Sequence, residues 1–150
     1  MEVNLKRIDE NYLMEATNET GNTLLTDGSP AIGGGNQAFR PMQMLLAAIG
    51  GCSSIDIISL LRKQRQELED IQIKVTAERV EGEVPALFKS IHIHYILIGD
   101  VSEKKAERAV NLSMEKYCSV SMIIKESAEI RWSFEVQKGS GVRGQESGRA

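Results

Sequence analysis

The chain has 150 residues, 41% of them apolar and 26% charged, with a formal net charge of -3. That length buries a real core without disulfide staples, and the acidic balance gives no reason to expect nucleic acid. The N-terminus MEVNLKRIDE is charged throughout, unlike a signal peptide, and no apolar run reads as a membrane span, so the cytoplasm is the expected compartment.

Three short antiparallel strands are expected first, over 2–7, 11–17 and 22–26, with Val3, Leu5, Tyr12 and Met14 as inward positions. Asp9-Glu10-Asn11 makes the first turn, and Asp27-Gly28 ends the third strand. Residues 28–39 (GSPAIGGGNQAF) read as a mobile glycine-rich linker. Gly33-Gly34-Gly35 lacks the Lys-Ser/Thr ending of a phosphate loop and the spacing of a dinucleotide fingerprint.

Residues 40–62 follow as RPMQMLLAAIGGCSSIDIISLLR, where Asp56 is the one charge between the two arginines. The stretch predicts a helix from Pro41 to Lys63, about 34 Å long, with the proline at the first helical position. Gly50-Gly51 suggests either close backbone approach or a break that lets Cys52 open a new turn, where the macrodipole lowers a thiol pKa. The run Lys63 to Asp70 reads as a solvated helix end.

Ile71 to Glu81 and Phe88 to Ile98 alternate and form a hairpin across Gly82 and Pro85. Ile71, Ile73, Val75 and Ala77 share one face of the first strand; Ile91, Ile93, Tyr95 and Leu97 share one face of the second. His92 and His94 share the other face, but two ligands do not make a zinc site, and solvated or interface histidines are the simpler reading. Ser102 caps the next helix, which ends near Tyr117 and buries Ala106, Ala109, Val110, Leu112 and Met114. Cys118 then opens a short helix through Lys125. Glu129 to Val136 is the last strand, with Ile130, Trp132, Phe134 and Val136 facing the core. Residues 1–137 thus make one domain, and 138–150, which lack apolar periodicity, a disordered tail.

Grouped strands and helices predict an α+β fold of antiparallel sheets wrapped around a long buried central helix. A helix apolar on every face needs more cover than these strands supply, so an intertwined homodimer is expected to complete the core.

The segments PMQMLLAAIGGCSSIDIISLL and EKYCSVSMII together resemble the OsmC/Ohr family of thiol peroxidases, closest to its less characterised branch with a GGCS/T motif. The resemblance covers nearly the whole chain up to Val136 and implies the OsmC-like fold and a role in oxidative stress defence. It implies that Cys52 attacks an organic hydroperoxide and becomes a sulfenic acid, that Cys118 condenses with it to a disulfide, and that an external dithiol, lipoyl-type in some relatives, restores both thiols. No cofactor and no metal are implied. Such a cycle needs a first thiol deprotonated near neutral pH, against a reference of about 8.5, and a second whose Cα comes within about 7 Å.

Two departures stand out. The family's glutamate, paired with an arginine, falls at Met42 or Gln43, and Gln43 cannot hold a guanidinium by charge. Many relatives follow the late cysteine with proline, where this chain has Ser119. Arg40 is the preferred arginine and Arg7 the other candidate; Asp56, one turn after Cys52, is a charge able to raise the thiol pKa. Free cysteines also serve as small buried hydrophobes, which leaves a second class of function open: a non-catalytic dimeric binder of small molecules, or a redox sensor, on the same fold.

Overall fold

In the computed structural model, residues 1–140 are described, and the chain divides into two compact units, Met1–Leu45 and a second beginning at Leu46. The part of the expected tail from 141 onward lies outside the described residues.

The first unit holds an antiparallel sheet of β1 (Val3–Arg7), β2 (Met14–Asn18) and β3 (Thr23–Thr26), in that order. Asp9 shapes the first hairpin by accepting from the backbone N–H of Asn11 and Leu13. Val3, Leu5 and Tyr12 are exposed rather than inward: all of β1 is exposed, since β2 pairs along its edge without covering either face. The glycine-rich stretch is more ordered than a linker. Buried Asp27 accepts from the N–H of Gly28 and of Gln37, tying the loop's two ends together. Between them Pro30–Ile32 forms one 3-10 turn.

Helix α1 runs unbroken from Pro41 to Lys63, and the boundary between the units falls within it, after Leu45. Its start is capped in a box-like way, with Gln43 Oε1 accepting from the Arg40 N–H at 3.1 Å. It has the length and apolar composition to cross a membrane. Here it serves as a core helix in part: Ile49, Gly50, Ser53, Ile57 and Leu61 are buried along one stripe, at the spacing that keeps side chains on one face. The opposite stripe, including Ala47, Ala48, Gly51 and Ile55, is exposed in the single chain. Burial on every side is therefore not reached within one copy.

The second unit's sheet has the order β4 (Glu67–Arg79), β5 (Phe88–Asp100), β6 (Glu129–Gln137). The run Lys63 to Asp70 is a helix end only in its first residues, because Arg65 takes a left-handed φ of 56° and the chain enters β4 at Glu67. β4 and β5 pair antiparallel, as alternation predicts. β6 instead pairs with β5 in parallel. The intervening helices carry the chain back to the same end of the sheet, so β6 sets out in the direction of β5. Gly99 has a φ of 142°, and a Cβ there would collide with the Glu67 carbonyl, so the β4–β5 pairing at that end requires glycine.

One face of this sheet makes the core. Ile91, Ile93, Tyr95 and Leu97 of β5 are fully or almost fully buried, together with Ile49, Ile57 and Leu61 of α1 and Ala106, Ala109 and Val110 of α2 (Glu103–Leu112). A Cβ at Gly50 would meet Val75 and Ile73 of β4 at 3.5 and 3.8 Å, ordinary van der Waals contact, so α1 packs on the sheet there unbroken and without requiring the glycine. Ser102 caps α2 by accepting from the Lys105 N–H, as its sequence predicts. A π turn, Ser113–Tyr117, follows α2 directly, and α3 (Ser119–Ile124) begins with Cys118 as its N-cap.

Candidate functional site

Cys52 sits in the middle of α1, not at a helix opening. Cys118, not Cys52, is the cysteine at a helix N-terminus. That sulfur accepts from the Ser121 backbone N–H at 3.4 Å, as an N-cap side chain does.

The chain brings Cys52, Asp56 and Cys118 together: both sulfurs and a carboxylate oxygen of Asp56 lie within 4.8 Å of one another. Cys52 and Asp56 are one helical turn apart and so share a face of α1. Cys118 reaches them from the far end of the π turn, whose closing bond runs from the Cys118 N–H to the Ser113 carbonyl at 2.8 Å. Cys52 is half-buried, whereas Cys118 is fully buried. Burial pushes the Cys118 thiol up; the Ser121 N–H partly offsets this, and the neighbouring Cys52 sulfur adds to the rise.

Residues that sequence reading passed over hold this cluster in place. Ser113 Oγ donates to Asp56 Oδ2 at 3.1 Å, with the Ser53 carbonyl a second acceptor at 3.4 Å. Tyr95, fully buried, donates its hydroxyl proton to Ser53 Oγ at 2.8 Å and has Met114 Sδ at 3.1 Å. Desolvation pushes Tyr95 up to about 12, only partly opposed by the Ser53 bond. This hydroxyl thus ties the residue after Cys52 to the π turn before Cys118. The available signal was a lone tyrosine in the apolar face of β5, whose hydroxyl needs a buried partner.

Arg40 and Gln43 belong to the first unit, where Gln43 spends its amide oxygen on the helix cap. Among the described residues, Arg40 Nε is buried without a hydrogen-bond partner. Arg7 is exposed at the end of β1. Tyr117 is 46% exposed, with Lys116 Nζ 5.3 Å from its ring centre. Ser133 Oγ bridges the two histidines, at 2.8 Å from His94 Nδ1 and 3.0 Å from His92 Nε2. An apolar cleft of about 400 Å³ shares Met114 and Ser121 with the surroundings of Cys118, but neither sulfur lines it.

Chemically, the arrangement offers a reachable thiol, a second thiol behind it, and a carboxylate beside both. The family described as OsmC-like protein matches residues 33–133. Protein YhfA of Escherichia coli strain K12 is 44% identical over 118 residues, covering 78% of this chain and 84% of its own. The crystal structure of a hypothetical protein from Aquifex aeolicus VF5 superposes with a TM-score of 0.80 at 36% identity, covering 91% of this chain and 96% of that one. An organic hydroperoxide resistance protein OsmC from Legionella pneumophila superposes with a TM-score of 0.68 at 20% identity, over 91% and 98% of the two chains, a likeness of fold.

Proposed function

The chain belongs to the OsmC-like protein family, and from that premise we propose that it is a thiol peroxidase that reduces organic hydroperoxides in a reducing, cytoplasmic setting. The observation that carries this reading is the approach of the two sulfurs to within 4.8 Å. A disulfide needs about 2.05 Å, so less than about 3 Å of side-chain movement joins them.

The burial difference supports the proposed roles. Half-buried Cys52 is the sulfur a peroxide can reach. Its thiolate attacks one peroxide oxygen, the O–O bond breaks, the alcohol leaves with a proton, and Cys52 becomes a sulfenic acid. Buried Cys118, held as a thiol at neutral pH by desolvation, then attacks the sulfenic sulfur. Its proton passes to Asp56, the acceptor within reach, and on to the departing hydroxyl, so that the S–S bond forms as water leaves. An external dithiol, such as a lipoyl group, takes the oxidising equivalents by exchange.

The same proposal includes a homodimer. The exposed stripe of α1 supports it, since Ile55 is 67% exposed on an apolar helix. A second copy on that stripe removes water from beside Cys52, which strengthens electrostatics at the reacting sulfur. Arg40, with its unpartnered Nε, is the residue proposed to meet the peroxide. The alternative, a non-catalytic binder or redox sensor, draws on the missing family carboxylate, whose place falls at Met42 or at Gln43, the latter here a helix cap.

Consumption of cumene hydroperoxide in the presence of a dithiol tests the reading. Wild type is expected to turn over and Cys52→Ser to fall to background. Equal rates for both proteins would overturn the peroxidase assignment.

A further inference from the structure

Cys52, Asp56 and Cys118 present two soft donors and one hard donor, all within 4.8 Å of one another. Tetrahedral zinc, with Zn–S of about 2.3 Å and Zn–O of about 2.1 Å, sets such donors roughly 3.6–3.8 Å apart. Closing inward by about 1 Å at most brings the three to that geometry. Three protein ligands with one open position is the usual count for a zinc site accessible to solvent. Half-buried Cys52 and Asp56 leave that fourth position to water.

The supporting shell is also present. Ser113 Oγ holds Asp56 Oδ2 by a hydrogen bond, which fixes the carboxylate and leaves its other oxygen for an ion. The Ser121 N–H, pointing at Cys118 Sγ, stabilises a thiolate in a buried place. Cys52 and Asp56 have the i, i+4 helical spacing by which two side chains grip one ion from the same face. The third ligand comes from a separate element, so the ion would pin α1 to the start of α3.

We infer that these three residues form a binding site for one thiophilic divalent cation, with Zn²⁺ as its representative, whenever both thiols are reduced. Binding breaks two S–H bonds, forms two S–Zn bonds and releases two protons to buffer, with no change in oxidation state. A Cys52–Cys118 disulfide removes both sulfur donors, so metal-bound and oxidised states exclude each other. The site therefore protects the dithiol from oxidation when zinc is present. No peroxide chemistry is needed for it, and binding is read without substrate.

The test is a Zn²⁺ titration of the reduced full chain against a chromophoric chelator, with Co²⁺ as optical probe for thiolate charge-transfer bands. One ion per chain and a thiolate band are expected. Cys52→Ser and Cys118→Ser should each weaken binding at least about 100-fold and lose intensity in the band, and Asp56→Asn should weaken it about 10- to 100-fold with the band kept. Removing both His92 and His94 should change nothing, and prior oxidation to the disulfide should abolish binding. Affinity unchanged in Cys52→Ser or in Asp56→Asn, or lost with the histidine pair instead, would overturn the site. Should Cys118→Ser not fold, alkylation of half-buried Cys52 in the wild-type chain supplies the same comparison.

Discussion

Replacing Tyr95 by phenylalanine removes one hydroxyl from a fully buried position and leaves the ring in place. Ser53 Oγ loses a donor at 2.8 Å but keeps its own bond to the Ile49 carbonyl at 2.8 Å, so no buried hydroxyl proton is orphaned. The expected cost near neutral pH is about 1 kcal/mol, the net worth of a neutral buried hydrogen bond. Alkaline pH reverses the comparison. The folded-state value of about 12 stands above the ordinary 10.0, so the folded protein holds this proton more tightly than the unfolded chain. Stability from Tyr95 is fully present below pH 10 and falls as pH rises toward 12, where the unfolded chain ionises and the folded one does not. One unit of pKa corresponds to about 1.4 kcal/mol, so between pH 9 and 11 the wild type should lose about 1.3 kcal/mol relative to the phenylalanine variant. The variant is thus less stable at pH 7 and about equal to wild type near pH 11. Urea unfolding of both proteins at equal concentration across that range reads the difference, and other titrating groups cancel in it. Parallel stability–pH curves for the two proteins would refute a buried, proton-retaining Tyr95.

Cys118→Ser keeps an N-cap of the preferred type, so its stability should match wild type within about 1 kcal/mol. Peroxide should then leave Cys52 as a sulfenic acid, detected by dimedone labelling, with no intramolecular disulfide in mass spectra; an unlabelled Cys52 would contradict its role. Gln43→Ala removes the side-chain half of the α1 cap and should lower stability by about 0.5–1 kcal/mol in thermal or urea unfolding, with no loss greater than that. Ile55→Asp places a charge on the exposed stripe of α1, and should convert a sedimenting dimer to a monomer; a wild type that already sediments as a monomer would sink the dimer proposal.

Local signals carried most of the fold. Pro41 and the apolar run set α1 at the bounds observed, Ser102 set the start of α2, and alternation set the inward faces of β4 and β5. What stayed hidden depended on partners remote in sequence. The parallel placement of β6 is decided by where two helices deliver the chain, which no period in residues 129–137 encodes. Val3 and Leu5 alternate like core positions, yet pairing along a strand edge gives them no cover. Within the site, both cysteines were visible as a motif and Asp56 as a charge one turn after the first, whereas the groups that hold them were not. Neither Ser113, which donates to Asp56, nor the Tyr95 hydroxyl is marked by any local pattern. Gly50-Gly51 allowed two readings, and the structure bears out neither: α1 is continuous, a Cβ at Gly50 would make ordinary contacts, and one at Gly51 would meet no described residue within 4 Å.

The π turn at Ser113–Tyr117 has a consequence for insertions and deletions. A π turn accommodates one residue more than the α-helical ladder on either side would hold. Deleting a single residue there would let the same closure form as an ordinary α-helical bond, four residues back, and leave the second sulfur near its present place. The extra residue is thus local slack beside the second thiol, and a frame-preserving loss of one codon should be better tolerated here than inside α2, where it would rotate everything downstream by about 100°.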